Sequence, residues 1–117
     1  MKIACVSSEE LVEGVYKVSL KGRLSIAGCD EIDIQFSGMT ASPRKYIIVD
    51  ISEVIFLSSL GIRMILLVAR AVEGRGGKLV LLNPNQSIEK ALKLSGIPEI
   101  ITVSNTLSEA MVAITSE

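Results

Sequence analysis

Residues 46–51, in the run YIIVDI, are almost wholly apolar and do not alternate with polar residues. A strand with one wet face leaves alternation in the sequence, so this run reads as a central strand covered on both faces. A second run of the same kind, KLVLLN, begins at Lys78. Two doubly covered strands require helices on a sheet, which is the layer arrangement of an α/β fold. A chain of 117 residues fits one domain, and folding at that size buries roughly two-thirds of the exposed surface. Only 3% of the residues are aromatic, so the core is filled by Ile, Leu, Val and Ala.

The elements around these runs follow from periodicity and punctuation. Residues 2–7 and 15–20 read as strands joined through Gly14 into an antiparallel pair, with Tyr16, Val18 and Leu20 on one face. Gly22 reads as the end of the second strand. Ser25 is placed to cap a helix carrying Cys29, Ile32 and Phe36 and ending near Ser37 and Gly38. After the 46–51 strand, a long helix runs from about Ser59 to Glu73 and is stopped by Gly74, Gly76 and Gly77. Asn85 or Asn83 can cap the next helix, with Ile88, Ala91, Leu92 and Ser95, before Gly96 and Pro98. A short strand at 100–103 precedes a Thr106–Glu109 capping box and a last helix bearing Leu107, Ala110, Met111 and Ile114. Strands alternating with helices need crossover connections. The expected fold is therefore a single α/β domain with a mixed, mostly parallel sheet and packed helices.

Composition removes whole classes of function. The 12 basic and 13 acidic residues are interspersed and give a net charge of -1, which leaves no footprint for nucleic acid or an anionic membrane. Two cysteines, Cys5 and Cys29, are too few for a disulfide framework or a four-ligand zinc site and read as free thiols in a reducing cytoplasm. There is no secretory leader pattern and no apolar run of membrane-spanning length, so a cytoplasmic protein is expected. Histidine is absent, which removes the usual general base and the commonest transition-metal ligand. No metal or cofactor is expected.

The chemistry concentrates where the central strand meets the long helix, in the segment VIFLSSLGIR at 54–63. A serine at a helix start accepts a hydrogen bond from a free backbone N–H and contributes about 1 kcal/mol as a cap. One cap suffices, and Ser58 takes it naturally. Ser59 is then left in the first turn, on the face of Arg63, Arg70 and Glu73 at about 100° per residue. Leu66 falls in the middle of that polar face, as the apolar centre of a docking patch. A hydroxyl at a helix N-terminus suits phosphorylation, because the backbone N–H groups and the helix dipole favour a dianion there. A serine nucleophile is the competing reading, but the G-x-S-x-G spacing is missing and no histidine can serve as base. Gly74, Gly76 and Gly77 close a helix, unlike the glycines of a nucleotide-binding turn.

The segment DISEVIFLSSLGI at 50–62 resembles the signature of the STAS domain of bacterial anti-sigma factor antagonists. The later RGGKLVLLNPNQSIEKALKLSGI at 75–97 is similar to the same family, LKGRLSI near residue 20 more loosely, and together they span essentially the whole chain. The resemblance implies a non-enzymatic domain that binds an anti-sigma factor which is also a serine kinase, so that a sigma factor is released. It implies phosphorylation by that kinase at a serine starting the second helix, loss of binding, and reversal by a serine phosphatase. Aligned on Val54, Phe56 and Gly61, that serine is Ser59, with Ser58 its neighbouring alternative. Ser58 stands where many members carry aspartate. Arg23, Leu24 and Ser25 stand where many antagonists have an acidic residue and then aspartate around a leucine. The expected partner surface is Ser58, Ser59, Arg63 and Leu66, with Arg23 and Ser25 beside them. The alternative is a STAS-type scaffold or sensor subunit that is never phosphorylated.

Overall fold

A computed structural model of the protein describes residues 2–116. Its elements are β1 (Ala4–Val12), β2 (Val15–Leu24), α1 (Ile26–Met39), β3 (Tyr46–Leu57), α2 (Ser59–Gly74), β4 (Lys78–Leu82), α3 (Gln86–Leu94), a 3-10 turn (Ile97–Glu99), β5 (Thr102–Ser104) and α4 (Leu107–Thr115). The strands form one five-stranded sheet in chain order, β1-β2-β3-β4-β5. β1 is antiparallel to β2, and every later neighbour is parallel. Each parallel step passes through a helix, which is the expected mixed α/β sheet.

The covered strands explain the layers. Ile47, Val49 and Ile51 of β3 point into a core shared with Ile32 and Phe36 of α1, Ile65 and Val72 of α2, and Ile88 and Leu92 of α3. Ile48 points the other way and joins Val80, Leu82, Ala110 and Ile114 under α4. One face therefore carries three helices and the other carries one. On the β1–β2 hairpin, polar residues that alternate with the buried Val18 and Leu20 carry ion pairs. Lys17 approaches Glu9 at 3.3 Å and Asp50 at 3.9 Å, and Lys21 approaches Glu53 at 3.1 Å.

Strand lengths depart from the sequence reading. β1 extends past Ser7 because Glu9 and Glu10 pair with Lys17 and Tyr16 on β2. β2 continues through Gly22, whose φ of 96° is open to glycine and would be strained in other residues. A β-carbon at Gly22 would also collide with the Ile3 carbonyl oxygen, and Arg23 N–H donates to that carbonyl at 3.0 Å. β3 runs on to Leu57 instead of stopping at Ile51, since residues as far as Leu57 pair with β2. β5 is displaced to Thr102–Ser104 because the Ile100 and Ile101 N–H groups both donate to the Ile97 carbonyl, at 2.8 Å each, and so belong to the turn at 97–99. In each case, pairing with a neighbouring strand or a local turn outweighs intrinsic propensity.

Glu31 ties the start of the sheet to α1. Its carboxylate accepts from the backbone N–H of Ile3 at 2.7 Å and of Ala4 at 2.9 Å. The Ala4 and Ile3 N–H groups hold this carboxyl below its ordinary value. A depressed folded pKa contributes stability above the unfolded pKa and loses it as pH falls through the folded one. Glu31→Gln is therefore expected to lower the urea midpoint at neutral pH. The difference from wild type should shrink to nothing as pH drops well below the ordinary carboxylate value of about 4; denaturation curves of both proteins across that range check it.

Candidate functional site

Two strand ends lie side by side and start two helices. Leu24 ends β2 opposite Leu57, which ends β3, and each strand hands the chain to a serine cap. Ser25 Oγ accepts from Gly28 N–H at 3.2 Å and caps α1. Ser58 Oγ accepts from Gly61 N–H at 3.2 Å and caps α2. The same Ser58 hydroxyl donates to the Leu24 carbonyl at 2.6 Å, and Ser58 N–H reaches that carbonyl at 3.1 Å. Ser58 thus fastens the two helix starts together.

Close packing here depends on two glycines. A β-carbon at Gly28 would run into the Arg23 carbonyl oxygen, and one at Gly61 would stand 2.9 Å from Leu57 Cδ1 and 3.1 Å from Leu24 Cβ. Cys29 lies in the seam, buried, and its burial pushes the thiol up, with the nearby Ser58 hydroxyl opposing the shift. Cys5 is exposed and free. The two thiols are unlike each other, where the sequence reading treated them alike.

Ser59 is the first residue of α2, is exposed, and its hydroxyl makes no hydrogen bond among the described residues. Arg63, one turn later, is also exposed and without an ion-pair partner among them. Arg23 is exposed and its guanidinium lies over the Phe56 ring, 4.7 Å from the centroid. Of the residues singled out in the sequence, Ser59, Arg63 and Arg23 are exposed, while the Ser58 and Ser25 side chains cap helices.

Leu66 requires correction. It is half-buried and packs against the core, because the covered arc of α2 reaches past Ala69 to Ile62 and Leu66. The exposed leucines of this helix are Leu60 and Leu67. Sequence reasoning missed them, and also Ile26, Ile55 and Phe56, which are 73%, 62% and 40% exposed. A signal existed in VIFL at 54–57, where four apolar residues in a row cannot all face inward once the strand leaves the layer of helices.

A contrast in stability follows from the two serines. Ser58→Ala is expected to cost about 1–2 kcal/mol through loss of the cap and of the bond to Leu24. Ser59→Ala should stay within about 0.5 kcal/mol of wild type, as substitutions at unconnected surface positions do. Chemical denaturation of the two variants side by side measures the difference.

A family model for the STAS domain matches residues 3–110. The chain belongs to the STAS family. This STAS domain is 24% identical over 102 residues to BtrV of Bordetella bronchiseptica, a candidate anti-sigma factor antagonist, covering 87% of this chain and 88% of that protein. Its fold matches the crystal structure of an anti-sigma factor antagonist from Mycobacterium paratuberculosis with a TM-score of 0.85 at 18% identity, covering 97% and 95% of the two chains. It also matches the phosphorylated form of the Bacillus cell fate determinant SpoIIAA, with a TM-score of 0.69 at 22% identity and coverage of 94% and 99%. Among the described residues of the STAS domain, no helix is long and apolar enough to cross a membrane.

Proposed function

We propose that this STAS domain is an anti-sigma factor antagonist. Its unmodified Ser59 surface docks on an anti-sigma factor that is also a serine kinase, and docking frees the sigma factor that the kinase holds. Phosphorylation of Ser59 by the same kinase ends the contact, and a serine phosphatase restores it. The observation that carries this reading is the division of labour at the start of α2. Ser58 is consumed by two hydrogen bonds, whereas Ser59 stands free beside exposed Leu60 and Arg63. A phosphate there meets the free N–H groups of a helix start, so modification leaves the fold intact and acts on the partner by adding roughly two negative charges. The protein acts by binding, not by catalysis.

Two features favour the second reading, a scaffold or sensor subunit that is not phosphorylated. Arg23 is occupied with Phe56, and Ser25 is occupied as a cap. Phosphopeptide mapping of protein recovered from its native cells separates the readings. Phosphate on Ser59, with a kinase-like anti-sigma factor captured by the unmodified form, supports the antagonist. An unmodified Ser59 under all growth conditions, with only scaffold subunits captured, overturns it.

A further inference from the structure

The seam between α1 and α2 opens into a groove of about 530 Å³ that extends away from Ser59 along both helices. That volume lies within the roughly 300–1,000 Å³ of clefts that hold small molecules. Its walls are apolar, with Ile26 from α1 and Leu60, Met64, Leu67 and Val68 from α2. Ile26 and Leu67 are more than half exposed, a cost that an apolar ligand would relieve.

Charge along the groove is not symmetric. Asp30 lines it near the start of α1 and Asp33 midway along that helix, with Arg63 from the first turns of α2, an excess of negative charge over that part of the groove. At the far end stands Arg75, with Ser37 and Ser42. Arg75 Nη2 is pinned by the carbonyls of Thr40 at 2.7 Å and Arg44 at 2.5 Å, while its buried Nε has no acceptor. Among the described residues, Nη1 has no acceptor and no carboxylate pairs with this guanidinium. A guanidinium held in place and left without a counter-ion is a preorganised anion site, because its side-chain entropy is already lost.

We propose that this groove binds a linear monocarboxylate with an apolar tail, of the medium-chain fatty-acid class. The carboxylate rests at Arg75 and the tail runs past Val68, Leu67 and Met64 towards Ile26 and Leu60. The aspartates disfavour the opposite orientation. This site does not depend on Ser59 being a switch, although it shares Leu60 and Arg63 with the proposed docking surface.

The test titrates decanoate and decanol, equal tails with and without the acid, into the wild-type protein, Ala71→Phe and Arg75→Gln, following methyl resonances by NMR. Saturable binding of decanoate that shifts the Met64, Leu67 and Val68 methyls is expected. Decanol should bind at least about tenfold more weakly, the loss expected for one charge-assisted hydrogen bond. Ala71→Phe fills the groove from an exposed position and should abolish both. Arg75→Gln should bring the acid down to the alcohol, a ratio that does not depend on its overall stability. Equal binding of acid and alcohol, shifts outside the groove, or no binding below the micelle-forming concentration overturns the proposal. Self-association that Ala71→Phe abolishes would assign the groove to a second copy and also overturns it.

Discussion

Ser59→Asp is expected to weaken binding to the proposed anti-sigma kinase partner by about 100-fold or more, while Ser59→Ala binds within a few-fold of wild type. The asymmetry comes from where the charge sits. Ser59 is exposed in the free protein, so an aspartate there keeps its water and lies at a helix N-terminus, which gains about 0.3–1 kcal/mol. In the proposed complex the same carboxylate must shed that water beside the exposed Leu60 and the partner surface that covers it. An unpaired charge or like-charge contact inside an interface costs several kcal/mol. Binding falls while stability rises slightly, and calorimetric titration together with thermal unfolding reads both quantities. Equal affinity of the aspartate variant and wild type would remove Ser59 as the switch and favour the scaffold reading.

Gly28→Ala and Gly38→Ala make the same substitution in one helix and are expected to have opposite signs. Both glycines lie within α1. At Gly28 the new methyl would occupy the position of the Arg23 carbonyl oxygen, and neither partner is a flexible side-chain tip, so the backbone of α1 or β2 must move. Overpacking of this kind costs about 1–3 kcal/mol, and the rigid backbone places this case near or above the upper end. The movement would also pull on the Leu24–Ser58 link and displace Ser59, so partner binding should drop along with stability. At Gly38 nothing lies within 4 Å of the added carbon, and alanine is better than glycine by about 0.8–1.0 kcal/mol in a helix interior, an upper bound for this next-to-last position of α1. Gly38→Ala should raise the unfolding midpoint. Paired denaturation curves decide the matter, and destabilisation by both would mean that the approach of α1 to β2 is not what constrains Gly28.

Much of the fold was legible because its signals are local. The unalternating runs at 46–51 and 78–82 specified two-sided cover, and the order of strands and helices then left few ways to connect them. Ser25 and Thr106 were readable as helix starts and each accepts the capping bond, and of the two asparagines that could cap the third helix the structure uses Asn85. The serine pair was legible for the same reason, since one cap consumes one hydroxyl and leaves the next one over.

What the sequence left open depends on partners distant in the chain. β3 extends to Leu57 because β2 is there to pair with it, and β2 passes Gly22 because the Ile3 carbonyl accepts from Arg23. A helical wheel assumes cover from one direction. In the structure the covered arc of α2 takes in Leu66, while the side turned to α1 carries Leu60 and Leu67, which stay exposed because the seam opens into a groove. The sequence by itself determined that a free serine would begin the second helix of an α/β domain, because capping and periodicity act over a few residues. Only the tertiary structure decided what surrounds that serine, because the apolar rim, the Arg23–Phe56 stack and the groove ending at Arg75 join residues brought together by crossover connections.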